Sequence, residues 1–317
     1  MENDTVVTEF TLGGFMDQPE LQVILLVLFL VIYIITLVGN FGMILIITAD
    51  SHLHTPMYFF LKNLSFLDIC YSSVITPKAM ISFATGNQVI SYNGCATQMF
   101  FFCLFGTTEG VLVGVMAYDR FTAICNPLLY HIIMSKKRCF GLLSISYFFG
   151  FFNCCTQTGF TFSLSFCGPT VINHFFCDVP VVMKASCSNT FANEIVLLVF
   201  CGIISVFTAT VVLISYCYIV ATILRIPSVQ GRHKAFSTCT SHLMVVSLFF
   251  GTVFFMYAQP GAMSSPNQGK VVSIFYTIVI PMLNPLIYSL RNKEVKEALN
   301  RQIRRKPLSA EAQHFFG

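Results

Sequence analysis

The 317-residue chain contains 55% hydrophobic and only 10% charged residues, and its formal net charge is +4. Soluble globular domains carry about 25% charged residues, so this composition excludes an ordinary soluble domain and favours an integral membrane protein. No basic run precedes the C-terminal tail, which argues against a nucleic-acid-binding protein. The first 21 residues are acidic and lack Lys and Arg, so we expect no cleavable signal peptide there.

Seven apolar stretches are each long enough for a transmembrane helix, which needs about 20 residues. The predicted spans are 22–48, 57–82, 95–125, 139–163, 194–224, 235–258 and 270–290. Pro56 suits the start of the second span, and Pro77 is expected to interrupt it near its far end. The fourth span has the weakest apolar signal, because Asn153, Thr156 and Gln157 dilute it. The predicted fold is an all-α, seven-transmembrane helix bundle.

The Lys and Arg residues are distributed unevenly between the two sides of this bundle. Fifteen of the eighteen fall on the side of the C-terminal tail, and only Lys78, Lys184 and Lys270 fall on the other. Positive residues in short loops stay in the cytoplasm, so the sequence predicts a plasma-membrane protein with its N-terminus outside and its C-terminus inside. The sequon at Asn3 fits this orientation, since glycosylation requires the outer side.

The segment after the seventh span has its own apolar period, with Val295, Leu299 and Ile303 four positions apart and basic residues between them. This spacing predicts a short amphipathic helix on the anionic cytoplasmic surface of the membrane. The predicted organisation is therefore an extracellular N-terminus over 1–21, a bundle over 22–290, and a cytoplasmic helix and tail over 291–317.

Four polar side chains within the predicted spans are candidates for a polar core, because ionisable groups there are costly and face the bundle interior. They are Asn40, Asp68, Glu109 and Asn284. Two interpretations are open: a hydrated or cation-holding cluster that couples helix rearrangement, or a hydrogen-bond network that only fixes packing. Asp68 and Glu109 have no basic partner, which favours protonation or cation binding of at least one of them.

Four motifs in order along the chain give the sequence a family resemblance. They are LHTPMYFFL at 53–61, MAYDRFTAICNPL at 116–128, KAFSTCTSHL at 234–243 and PMLNPLIYSLRN at 281–292. Together they resemble the vertebrate olfactory receptors, a branch of the rhodopsin-like G-protein-coupled receptors, over nearly the whole chain. The chain also has no Trp, which most other rhodopsin-like receptors carry in the sixth helix.

The resemblance implies an odorant receptor in which a small volatile ligand activates a heterotrimeric stimulatory G protein of the olfactory type and raises cyclic AMP. It implies that Arg120 releases from Asp119 as the sixth helix moves outward, and that Tyr216 and Tyr288 then hydrogen-bond to the opened site. Four cysteines on the outer side can pair in three ways. The resemblance implies the pairs Cys95–Cys177 and Cys167–Cys187.

A stripe of mostly small or apolar residues on the outer half of the third span is the candidate ligand wall. Three- and four-residue spacing places its members on one helix face: Phe102, Cys103, Gly106, Thr107 and Gly110. The resemblance places this stripe opposite residues of the fifth, sixth and seventh spans: Phe200, Ile204, Phe250, Val253, Phe254, Tyr257 and Thr277. Thr107 and Tyr257 are the expected polar contacts. Ordinary helix packing is the competing interpretation for each residue.

The uncharged wall favours a weakly polar ligand over an amine or a carboxylate. The nearest alternative function is a non-olfactory rhodopsin-like receptor, which the missing Trp disfavours. A transporter would show inverted repeats or broken helices, and a channel would need several polar positions in each helix; the sequence has neither pattern. An enzyme is not expected, and no metal or cofactor is predicted.

Overall fold

Seven long helices form the body of the protein. The computed structural model describes residues 7–14, 19–167, 170–257, 266–292 and 294–302. The helices are α1 (Pro19–Ala49), α2 (Pro56–Thr85), α3 (Tyr92–Cys125), α4 (Lys136–Phe162), α5 (Phe191–Leu224) and α6 (Val229–Tyr257). The seventh, α7, comprises Pro266–Ile274, a π-helical segment Phe275–Val279, and Ile280–Arg291. The fold is thus the predicted seven-helix bundle.

Five of the seven helices begin about one turn before the apolar stretches that predict them, whereas α2 begins one residue and α6 six residues before. In α3 the side chain of Ser91 accepts a hydrogen bond from the backbone of Gly94, so a polar residue caps a turn that hydropathy alone misses. The predicted interruption at Pro77 was wrong. The helix continues through Pro77 to Thr85 and ends where Gly86 adopts a left-handed conformation with φ of 69°.

Five of the seven helices are long and apolar enough to cross a membrane when only the described residues are considered. The fourth, with its diluted apolar signal, is among them. The second is not, because it carries buried polar residues such as Ser65, Asp68 and Ser72. The sixth begins with polar residues, and its apolar described stretch spans only His242–Thr252.

The outer surface of the bundle is apolar, which is the reverse of a soluble protein. Val38, Val206 and Leu213 are each at least 66% exposed, although all three are large hydrophobic residues. Polar residues such as Asn40 and Asp68 are completely buried. Apolar side chains outside and polar groups satisfied inside are what a lipid environment requires.

A small sheet that the sequence did not predict lies at one end of the bundle. Strand β1 (Glu9–Leu12) pairs antiparallel with β2 (Val89–Ser91) and parallel with β3 (Val171–Ile172). Strands of two to four residues give almost no periodic signal. The sheet ties the N-terminal segment to the loops before α3 and after α4. We call this end of the bundle the loop end.

A further helix spans residues 294–302 at the opposite end, which we call the tail end. Val295 and Ala298 are buried against the bundle and Leu299 is 43% exposed, whereas Ile303 lies outside the described residues. Val295 and Leu299 are four positions apart and share one side of the helix, so the contact of this side with the membrane surface stays a prediction.

Candidate functional site

An internal cavity of about 110 Å³ lies among the helices toward the loop end. Residues of α2 to α7 and of the loop before α5 surround it. Aromatic, aliphatic and small side chains form most of the wall, and among the described residues the lining contains no Lys, Arg, Asp, Glu or His. A mostly apolar enclosure with a few polar groups is typical of a small-molecule site.

Seven of the twelve predicted ligand residues line this cavity. They are Phe102, Cys103, Gly106, Thr107, Gly110, Ile204 and Phe250. Phe200 instead packs against α4, with its ring tilted by 42° and its centroid 5.8 Å from that of Phe152. Thr277 is buried and donates its hydroxyl hydrogen to the carbonyl of Ser273 within its own helix, at 2.6 Å. The predicted placement of these two residues at the cavity was wrong, because their helices turn those positions toward neighbouring helices or backbone.

Some predicted positions lie outside the described residues. Among them are the side chains of Val253, Phe254 and Tyr257 in the last turn of α6, and the glycosylation sequon at Asn3. Their placement therefore stays a prediction.

Two polar residues of the cavity wall that the sequence did not place there come from α4. Asn153 and Gln157 line the cavity, yet each is no more than 4% exposed. One turn separates them, so they lie on the same helix face. Their polarity was visible in the sequence, where it weakened the case for a fourth span. A buried amide in a membrane helix is instead a signal of an inward-facing functional or packing position.

These two amides form a hydrogen-bonded chain with α3. Nδ2 of Asn153 donates to Oγ1 of Thr107 at 2.9 Å, and Nε2 of Gln157 donates to Oδ1 of Asn153 at 3.3 Å. This series of hydrogen bonds joins α4 to α3 at the cavity wall. It fixes the amide groups in place before any ligand binds.

The loop between α4 and α5 covers the cavity. The structure pairs Cys95 with Cys177, at a Cα–Cα distance of 5.6 Å, and Cys167 with Cys187, at 6.0 Å. These are the two pairs that the resemblance implied. The first anchors the loop to the start of α3, and Val179, two residues later, contributes to the cavity wall.

A buried polar network holds this loop against α7. Nε2 of His174 lies 3.0 Å from Oγ of Ser273, which lies 3.1 Å from the hydroxyl of Tyr276. That hydroxyl donates to Oδ2 of Asp178 at 3.2 Å. Burial and the nearby charge of Lys270 lower the pKa of His174 to about 3. Tyr276 belongs to the π-helical segment of α7 and also lines the cavity.

Three of the four predicted polar-core residues meet at the centre of the bundle. Nδ2 of Asn284 is 3.0 and 3.1 Å from the two carboxyl oxygens of Asp68, and 3.4 Å from Oε1 of Glu109. Asn40 instead donates to the carbonyls of Thr36 and Pro281, each at 3.0 Å. The grouping of Asn40 with the two acids was therefore wrong. Instead, the Asn40 side chain joins α1 to the backbone of α7.

The tail end contains the predicted switch residues in a different arrangement from the one expected. Oδ1 of Asp119 accepts a hydrogen bond from the hydroxyl of Tyr130, at 2.9 Å. Within the described residues Asp119 and Arg120 form no ion pair closer than 4.0 Å, so the expected contact was wrong. Adjacent residues point about 100° apart around a helix and do not face each other.

Tyr216 on α5 is already bonded to α6. Its hydroxyl is 2.7 Å from Nδ1 of His242 and donates to the carbonyl of Cys239 at 3.3 Å. The side-chain oxygen of Tyr288 is buried and has no partner among the described residues. Any new bond from Tyr216 to an opened site therefore requires α5 and α6 to separate here.

Comparisons with known proteins bear on the whole chain. The family model described as olfactory receptor matches residues 29–306. Human olfactory receptor OR9H1 is 59% identical over 96% of this chain and 99% of its own length. Mouse olfactory receptor 5AP2 is 55% identical over 95% of each. The crystal structure of squid rhodopsin superposes with a TM-score of 0.65 at 18% identity, over 90% of this chain and 86% of that one.

Proposed function

Because the chain belongs to the olfactory receptor family, we propose that it binds a small neutral volatile molecule in the internal cavity and signals through the olfactory stimulatory G protein, raising cyclic AMP. Members of this family are G-protein-coupled receptors and not enzymes. The observation that carries the proposal is the cavity itself, whose lining, as far as the structure describes it, has no charged side chain to compensate an ionic ligand.

The proposed orientation puts the loop end outside the cell and the tail end in the cytoplasm. The positive-residue bias supports it, since fifteen of eighteen Lys and Arg residues lie toward the tail end. The two disulfides at the loop end also support it, because disulfides form in oxidising compartments. Residues 1–21 would then be extracellular, with Asn3 available for glycosylation, and residues 291–317 cytoplasmic.

Activation would follow from a difference in ligand affinity between two helix arrangements. A ligand shifts the equilibrium only as far as it binds the active arrangement more tightly, and a shift from 1:99 to 99:1 requires about 5.5 kcal/mol. Outward movement of α6 would break the Tyr216–His242 bond and uncover Arg120 for the G protein. A small ligand that supplies less free energy would give a partial response.

The test is cyclic AMP in cells that express the receptor with the olfactory stimulatory G protein, exposed to a broad panel of volatile compounds. We expect a dose-dependent rise for at least one uncharged compound. Arg120→Ala should abolish the rise at unchanged surface expression, and the exposed Arg138→Ala should retain it. A response that survives in Arg120→Ala, or a panel in which only charged compounds act, would contradict the proposal.

A further inference from the structure

We infer that the cavity selects ligands that carry one neutral oxygen, and that Thr107, Asn153 and Gln157 recognise this oxygen. We call these three residues the polar corner. The inference rests on the proposed function, since it names the ligand class of the same cavity. It assigns the recognition to the contact between α3 and α4.

The hydrogen-bonding capacity of the polar corner is only partly used. Oγ1 of Thr107 accepts a bond from Asn153, so its own hydroxyl hydrogen must find another partner. The neighbouring Thr108 donates to the carbonyl of Leu104 in its own helix, at 2.7 Å. Among the described residues nothing accepts the hydrogen of Thr107, which is therefore available at the cavity wall.

Gln157 has the same surplus. One of its N–H groups bonds to Asn153, which leaves the second N–H and the carbonyl oxygen without a bonded partner among the described residues. Gln157 is 2% exposed and Asn153 is 4% exposed, so bulk solvent does not supply the missing partners. The polar corner thus presents donors and one acceptor, in fixed positions, inside an apolar enclosure.

The remaining wall defines the rest of the ligand. Phe102, Phe249 and Phe250 contribute aromatic surface, and Leu197 and Ile204 contribute aliphatic surface. An apolar ligand body packs against these side chains, but a pure hydrocarbon leaves the donors of the polar corner unpaired. A carboxylate or an ammonium group finds no opposite charge in the lining. A neutral alcohol, aldehyde or ketone satisfies both requirements.

The size of the cavity restricts the ligand further. A cavity of about 110 Å³ is of the order of engineered protein cavities of about 150 Å³ that bind benzene. One small molecule fits this space. Outside the polar corner, Ser205 also lines the cavity, whereas the hydroxyl of Thr208 donates to the carbonyl of Ile204 at 2.8 Å and that of Tyr276 donates to Oδ2 of Asp178 at 3.2 Å. The ligand class is therefore a small compound whose alcohol or carbonyl group binds the polar corner.

The experiment uses the full-length receptor and two homologous series of probes, with six and eight carbons. Each series contains the alkane, the 1-alkanol, the aldehyde, the 2-ketone, the carboxylic acid and the primary amine. Two readouts are taken: the melting temperature of the purified receptor with each probe, and cyclic AMP in cells. The variants are Thr107→Val, which keeps the side-chain shape, Thr107→Ser, which restores the hydroxyl, and Gln157→Leu.

The matched control is Thr156→Val. Thr156 lies on α4 beside Gln157, but it is only half-buried and is not part of the cavity wall, and its hydroxyl bonds to the carbonyl of Phe152 at 2.9 Å. We expect neutral oxygen compounds to stabilise the wild type, whereas alkanes, acids and amines do not. Thr107→Val and Gln157→Leu should each weaken the response about tenfold, the size of one buried hydrogen bond. Thr107→Ser and Thr156→Val should match the wild type.

Several outcomes would overturn the inference. They are equal activity of alkanes and alkanols, activity confined to acids or amines, binding by no neutral oxygen compound, or an unchanged response in Thr107→Val. The two readouts separate this inference from the proposed function. Stabilisation by neutral oxygen compounds without cyclic AMP would contradict the coupling and support the polar corner. Cyclic AMP evoked only by acids would leave the receptor signalling and exclude the polar corner.

Discussion

The hydroxyl group of Tyr276 donates a hydrogen bond to Oδ2 of Asp178 at 3.2 Å, and so joins the wall of the cavity to the loop that covers it. Tyr276 lies in the π-helical segment of α7, and Asp178 directly follows the cysteine bonded to α3. The bond therefore connects α3, the covering loop and α7 at one point. π-Helical segments often mark functional positions. Here the π-helical segment carries Tyr276, which lines the cavity and bonds to the covering loop.

Removing the Tyr276 hydroxyl should loosen the covering loop. Tyr276→Phe keeps the ring in the cavity wall and leaves the buried Asp178 with one hydrogen bond fewer, at a cost of about 1–3 kcal/mol. We expect a lower melting temperature and faster ligand dissociation. Tyr218→Phe is the matched control, because Tyr218 is 59% exposed on α5. Equal melting temperatures for the two variants would show that the Tyr276–Asp178 hydrogen bond does not stabilise the covering loop.

The same network should make the receptor sensitive to acid. The pKa of His174 is lowered from 6.5 to about 3, so below pH 6.5 the unfolded chain binds a proton that the folded chain excludes. Folding stability from this residue is therefore complete above about pH 6.5. It is lost as the pH falls toward 3, by about 1.4 kcal/mol per unit. Asp178 and Lys270 are the charged residues nearest in the network.

The pH effect is measured as the melting temperature of the purified receptor between pH 7.5 and 5.5. His174→Asn should flatten the profile compared with the wild type. His131→Asn, which removes an exposed histidine near the tail end, should leave the slope unchanged. An equally steep profile in His174→Asn would mean that other groups cause the acid sensitivity.

The contact between α3 and α4 should tolerate no side chain at Gly150. A Cβ atom built there would lie 2.8 Å from the carbonyl oxygen of Leu104 and closer still to Oγ1 of Thr108. Gly150→Ala should therefore push the helices apart and destabilise the receptor by about 1–3 kcal/mol. Gly159 lies on the same helix with open space around it, so Gly159→Ala should be neutral or stabilising. Equal surface expression of the two variants would contradict this close approach.

An ion pair should hold the helix 294–302 against the first loop of the tail end. Nε of Arg301 is 2.9 Å from Oδ2 of Asp50, and this contact, followed by hydrogen bonds from His52, lowers the pKa of Asp50 from 3.8 to about 2. The contribution to stability is present above about pH 4 and is lost as the pH falls through 2. Arg301 is 37% exposed, so solvent screening keeps the contribution small.

Arg301→Gln should lower the melting temperature slightly, and by less in 1 M NaCl than at low salt, because salt screens the 37% exposed arginine while Asp50 is buried. Lys296→Gln removes an equal charge from an exposed position on the same helix and should have no effect. A deficit in Arg301→Gln of the same size at both salt concentrations would show a packing role for the arginine side chain instead.

The helix count followed from hydropathy, because lipid requires long apolar segments regardless of their partners. The stripe of α3 was recovered as well, since Phe102, Gly106 and Gly110 repeat at helical spacing on a single element. The buried polar network that holds the covering loop against α7 was not predicted. His174 and Tyr276 lie about a hundred residues apart, and their contact depends on how the loop folds over the bundle.

The contribution of α4 was missed for a different reason. Asn153 and Gln157 were treated as a weakness in an apolar run, when their burial makes them part of the cavity wall. The Asp119–Arg120 contact was implied by the family resemblance, but adjacent side chains on a helix do not face each other. Which partner a buried polar residue selects depends on the packing of neighbouring helices.

The central claim is that the ligand binds in the internal cavity. The most direct test compares a variant that fills this cavity with a control variant on the lipid-facing surface. Cys201→Phe places a ring in the cavity wall of α5, whereas Ile203→Phe places the same ring on the outer surface, where Ile203 is 65% exposed. The cyclic AMP response to an activating volatile compound should be lost in Cys201→Phe and retained in Ile203→Phe, at equal surface expression. An unchanged response in Cys201→Phe would mean that the ligand binds elsewhere.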